Sequence, residues 1–87
     1  MTKIIYPNIV IETITDKVTM DNYDKQDYVV FDTNGDYLFT MCHQFMTLPI
    51  AEGLCSGDMK ECNTAISTYL KNEKYHTTVI NNFLNDL

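Results

Sequence analysis

Arginine is absent from the 87 residues, alanine and serine occur twice each, and only three glycines and two prolines interrupt the chain. Each shortage excludes something. Neutralising phosphates takes clustered lysine and arginine, so six scattered lysines and no guanidinium argue against direct binding of nucleic acid. Three glycines placed singly cannot build a phosphate-cradling loop, and neither Ser56 nor Ser67 stands in a nucleophile elbow. No apolar run approaches the length needed to cross a bilayer. The residues Met1 to Pro7 lack a signal peptide's apolar core and cleavage site, so the expected location is cytoplasmic, in a host cell if the chain is phage-encoded. Three cysteines (Cys42, Cys55 and Cys62) cannot all pair within one chain and are expected to be free thiols.

What is present is acid. The formal net charge is −6. Between Glu12 and Asp36, seven carboxylates (Glu12, Asp16, Asp21, Asp24, Asp27, Asp32, Asp36) face two lysines (Lys17, Lys25), a local balance of −5. Hydrophobic residues make up 45% and ten aromatics are all Tyr or Phe, so the chain has the means to fold as a single domain over 1–87. Asn, Lys, Ile, Tyr and Thr abound, the flavour of AT-rich codons found in many phages and their hosts.

The pattern of apolar residues divides the chain in two. Residues Asn8 to Thr15 alternate and are rich in β-branched side chains, as a strand does, with Pro7 at its beginning or on an edge. Asp16 to Asp27 is polar and acidic, a loop. Tyr28 to Thr33 and Asp36 to Cys42 are apolar runs on either side of Asn34-Gly35, the strongest short-range hairpin signal. A two-residue turn there would set Phe31 opposite Leu38, Val30 opposite Phe39 and Tyr28 opposite Met41. One face (Val29, Phe31, Leu38) would have room for a helix. The other (Tyr28, Val30, Tyr37, Phe39, Met41) would be the more aromatic. His43 to Gly57 reads as a packed loop with a short helix.

From Asp58 to Leu87 there is neither Gly nor Pro, and Met59, Cys62, Ile66, Tyr69, Ile80, Phe83 and Leu87 keep one alternating three-four spacing. Asp58 and Glu61 stand in capping-box spacing at its start. Two helices are expected over this stretch, with one bent helix as the alternative, because a single helix of about 45 Å would overhang so small a sheet. The predicted fold is α+β: an antiparallel sheet of about three strands around the Asn34-Gly35 hairpin, with the C-terminal helices on one face.

Candidate chemistry is thin. Asp32 to Asp36 offers oxygens at the first, third and fifth positions of a calcium-type loop, but Tyr37 stands where Gly is required and His43 where a bidentate Glu belongs, so it reads as a hairpin turn. Cys42, His43, Cys55, Cys62 and His76 are residue types that bind zinc, at poor spacing. Cys42 and His43, adjacent on a strand, would point to opposite faces, and Cys62 lies on the helix's apolar stripe as a small hydrophobe. No cofactor, no metal and no enzymatic activity are therefore expected.

The sequence predicts a non-enzymatic binding protein, a phage or mobile-element inhibitor that blocks a larger host protein by occupying its basic surface. Asp16, Asp21, Asp24 and Asp27 would act as an electrostatic decoy, with Tyr28, Tyr37 and Phe39 of the aromatic sheet face as further contacts. The alternative is a homo-oligomeric assembly protein that uses that aromatic face. Neither reading calls for nucleic acid or a membrane as partner.

Overall fold

The computed structural model describes residues 2–15 and 17–85, with the backbone alone described at residue 2 and at 75–80. Four strands form one antiparallel sheet in sequence order: β1 (Thr2–Ile5), β2 (Ile9–Thr13), β3 (Tyr28–Asp32) and β4 (Tyr37–Met41). A 3-10 turn (His43–Phe45) and a short helix α1 (Leu48–Leu54) lead into one long helix, α2 (Met59–Asn85). The α+β arrangement is as the sequence predicts, with four strands in place of about three.

The extra strand is β1. Its four residues are joined to β2 by a tight turn in which Tyr6 N–H donates to the Ile9 carbonyl at 2.9 Å. Pro7 therefore sits inside a turn, where its fixed φ is an asset, and not at the start of a strand. Lys3 lies opposite Glu12 and forms a surface ion pair with it at 3.4 Å.

The β3–β4 hairpin is present, but with a different turn. Within the turn Gly35 takes positive φ, at +90°, and Asn34 does not, so the type I′ turn is ruled out. Gly35 N–H donates to the Asp32 carbonyl at 3.1 Å and Asp32 N–H to the Asp36 carbonyl at 2.9 Å, which makes a three-residue loop ending in a left-handed glycine. Asp32 Oδ1 accepts from the N–H groups of Asn34 and Asp36, both at 2.9 Å. This carboxylate closes the turn, the structural role that competes with a calcium loop.

The longer loop has a second consequence. Pairing runs Tyr28↔Met41, Val29↔Thr40 and Val30↔Phe39 as expected, then shifts to Phe31↔Tyr37, so β4 absorbs Leu38 in a bulge. A one-residue shift exchanges faces. Tyr37 consequently leaves the face of Tyr28 and Phe39 and meets Phe31 edge-on, with ring centres 6.2 Å apart.

The helices cover the more aromatic face, that of Tyr28, Val30 and Met41, and not that of Val29, Phe31 and Leu38, where there was room for a helix. Ile11, Tyr28, Val30 and Met41 from the sheet share one core with Ile50, Ala51 and Leu54 of α1 and with Cys62, Ala65 and Tyr69 of α2. That face wins because it supplies the larger buried side chains and because its buried hydroxyl is satisfied: Tyr28 donates to the Tyr23 carbonyl at 2.9 Å. Among the described residues no helix packs on the opposite face. There Ile5, Val10, Phe31 and Tyr37 form an apolar row across all four strands, and Ile5 and Tyr37 are 73% and 60% exposed.

One helix runs where two were expected. Nothing between Met59 and Asn85 breaks it, and its 27 residues span about 40 Å of a molecule whose longest dimension is 44 Å. Asp58 caps its start, accepting from Lys60 N–H at 2.8 Å, while Ser56 Oγ takes the Asp58 N–H at 3.1 Å, the place the box assigns to Glu61. The proximal part packs on α1 and the 3-10 turn. The distal part overhangs, leaving Phe83 and Leu84 exposed. Ile80 and His76 belong to the stretch described by backbone only, and Leu87 lies outside the described residues.

Candidate functional sites

The acidic segment does not form a single surface. Asp21, Asp24 and Asp27 precede β3, and Asp32 and Asp36 follow it, so the strand places the two groups about 17 Å apart at opposite ends of the sheet. Glu12 is engaged by Lys3. Asp16 lies outside the described residues.

The loop before β3 is ordered by its own polar side chains. Gln26, buried, accepts with Oε1 from the N–H groups of Ile14 and Thr15 at 3.0 and 3.2 Å and donates with Nε2 to Thr15 Oγ1 at 2.8 Å. Asn22 Oδ1 accepts from Thr19 N–H at 2.8 Å, and its amide donates to the Lys17 carbonyl at 2.9 Å. The bonds pin the loop's two ends and its central turn. Asp21 and Asp24 stay exposed, and among the described residues neither carboxylate bonds or pairs within the chain. The same loop holds two apolar side chains outward, Ile14 at 69% and Met20 at 74% exposed.

Asp27 is used differently. Its Oδ1 accepts from His43 N–H at 3.0 Å and lies 2.9 Å from His43 Nδ1. The His43 hydrogen bonds hold the Asp27 carboxyl below the usual carboxylate range. Cys42 Sγ is 3.8 Å from the same Nδ1. The sequence reading set Cys42 and His43 on opposite faces of a strand. In the structure β4 ends at Met41, Cys42 caps the 3-10 turn and His43 begins it, so both reach the side on which Asp27 stands. The only sequence signal for this was the adjacency of Cys and His at a strand's predicted end.

A thiol, an imidazole and a carboxylate in contact invite comparison with a nucleophilic triad. Such a triad needs the thiol and the carboxylate on different ring nitrogens, so that one orients the base while the other surrenders a proton. Here both meet Nδ1. The imidazole nitrogen that would take the thiol's proton is the one occupied by Asp27.

The aromatic residues picked as contacts are scattered by the fold. Tyr28 is wholly buried, Phe39 is half-buried and packs against the core, and Tyr37 is exposed on the other face with its hydroxyl 2.9 Å from Thr40 Oγ1. Tyr28 cannot touch a partner, and Tyr37 and Phe39 do not share a surface. Cys62 is fully buried, where the surroundings push its thiol pKa up, and Cys55 lies apart on the α1 end. No helix among the described residues is long and apolar enough to cross a membrane. Compared with protein families, with curated proteins and with solved structures, the chain matches none.

Proposed function

We propose that the chain is a non-enzymatic binding protein whose contact surface is the loop before β3, and that its partner is a larger protein with a basic surface. The supporting observation is that the loop spends its polar side chains on holding itself in shape while Asp21 and Asp24 point to solvent. A loop whose only task is solubility does not need that order. The exposed Met20 and Ile14 add apolar contact, and methionine is enriched at protein interfaces. Carboxylates fixed in advance lose little entropy on binding and steer encounter with a cationic groove. The codon flavour and small acidic chain agree with an inhibitor carried by a phage or mobile element, acting in the host cytoplasm.

The uncovered sheet face favours a second reading, self-association through Ile5, Val10, Phe31 and Tyr37. This replaces the face of Tyr28 and Phe39, which is closed by the helices.

One experiment separates the two. The partner is captured from the host, and association is followed for wild type and for the Asp21→Asn, Asp24→Asn double variant at low and physiological salt. A basic partner requires the variant to associate roughly tenfold more slowly at low salt, with the difference shrinking as salt rises. Unchanged rates at both salts would remove the loop as the contact. A sedimentation run on the same samples that finds a dimer, intact in the double variant, would favour the sheet face.

A further inference from the structure

We propose that Asp27, Cys42 and His43 form a binding site for a transition-metal ion, with Zn²⁺ the best match. The three donor atoms lie within 4.8 Å of one another, with His43 Nδ1 2.9 Å from Asp27 Oδ1 and 3.8 Å from Cys42 Sγ. Around tetrahedral zinc, bonds of about 2.0–2.2 Å to nitrogen and oxygen and about 2.3 Å to sulfur put neighbouring donors roughly 3.3–3.7 Å apart. The cluster is within about 1 Å of that geometry at each measured edge.

The donors are held from outside the cluster. Cys42 N–H donates to the hydroxyl of Tyr69 at 2.7 Å, and Tyr69 is a core residue of α2 at 1% exposure. Asp27 directly precedes β3, and Cys42 directly follows β4, whose first described pair is Tyr28↔Met41. The sheet's register thus sets the distance between carboxylate and thiol. A metal ion would fasten these two strand ends to the start of the 3-10 turn.

The donor set selects the ion. One thiolate and one imidazole are poor ligands for Ca²⁺ or Mg²⁺, which take oxygen, and suit zinc or another late first-row ion. Asp27 and His43 are about half exposed, so the fourth position lies on the solvent side. Binding releases the thiol proton of Cys42 to solvent and leaves the imidazole neutral, with its proton on Nε2 and the Nδ1 lone pair on the metal.

The test needs no partner protein, so its outcome is independent of the proposed function. Full-length chain, stripped with chelator and kept reduced, is titrated with Co²⁺ and then competed with Zn²⁺. One equivalent of Co²⁺ should bring up a thiolate-to-cobalt charge-transfer band that Zn²⁺ abolishes. Cys42→Ser should eliminate the band and Cys55→Ser should retain it. Asp27→Asn and His43→Gln should each weaken binding roughly tenfold or more. Circular dichroism of each variant checks that it is folded, and the Asp27 and His43 variants keep the test open should Cys42→Ser unfold. No band in the wild type, a band that follows Cys55 instead of Cys42, or unchanged affinity in both Asp27→Asn and His43→Gln would overturn the site.

Discussion

Gly53 carries a constraint that its position in a helix conceals. In an exposed helix a glycine is a liability, and alanine in its place gains up to about 1 kcal/mol. Here a Cβ would stand 2.8 Å from Ala65 Cβ and 3.1 Å from the Glu61 carbonyl oxygen, because α1 crosses α2 at this point with backbones nearly touching. Neither neighbour is a flexible side-chain end that can swing away. Gly53→Ala should therefore destabilise the fold, by about 1–3 kcal/mol once the helices have shifted to make room. Chemical denaturation measures it, and a gain in stability would mean that the helices separate freely. No local pattern announces this contact, which pairs residues twelve apart across a connection. The need for glycine at position 35 was legible, since Asn-Gly announces a turn, although the local pattern cannot tell a two-residue loop from the three-residue loop that Asp32 closes.

Among the elements, the hairpin, β2 and the start of α2 could be read because their signals are local: alternation, a turn dipeptide, a capping residue. Strand β1 escaped because four residues give too short an alternation and Pro7 drew attention to the next strand. The single long helix was misjudged for a different reason. Its length is set by backbone hydrogen bonds and the lack of a breaker, whereas the size of the sheet limits only how much of it is covered. The difference is measurable residue by residue. Ile66 packs against the core and Ile66→Ala should cost about 1–2 kcal/mol, below the full cost of a buried isoleucine because its side chain is only partly buried. Phe83→Ala, with the ring 65% exposed, should stay within about 0.5 kcal/mol. A large loss at Phe83 in dilute monomer would show that the overhanging turn folds back on the body of the protein.

At the scale of the whole molecule, three tyrosine hydroxyls tie elements together, two of them across 48 and 27 residues of sequence. Tyr6, after β1, donates to the Leu54 carbonyl at the end of α1; Tyr28 of β3 donates to the Tyr23 carbonyl in the acidic loop; Tyr69 of α2 accepts from Cys42 at the end of β4. The candidate metal cluster depends on the last of these, which is why composition and spacing could not disclose it: its geometry exists only when α2 is docked and β4 has ended at Met41. All three rings are buried, and burial is the largest cause raising their pKa values from 10, to about 12 for Tyr6 and Tyr69 and higher still for Tyr28. In the unfolded chain the same phenols ionise near 10. Between pH 10 and pH 12 the unfolded state gives up protons that the folded state retains, so it binds fewer, and stability must fall as pH rises through that window. Unfolding followed by circular dichroism in denaturant at rising pH should show the midpoint dropping from about pH 10 upward, with phenolate absorbance appearing together with loss of structure for the buried rings. Tyr69→Phe removes one of the three groups and should flatten the slope, at the cost of the Cys42 N–H bond, which lowers stability at neutral pH. If that variant kept the full alkaline slope, Tyr69 would have to titrate within the folded protein, and the sheet–helix junction at Cys42 would be open to water.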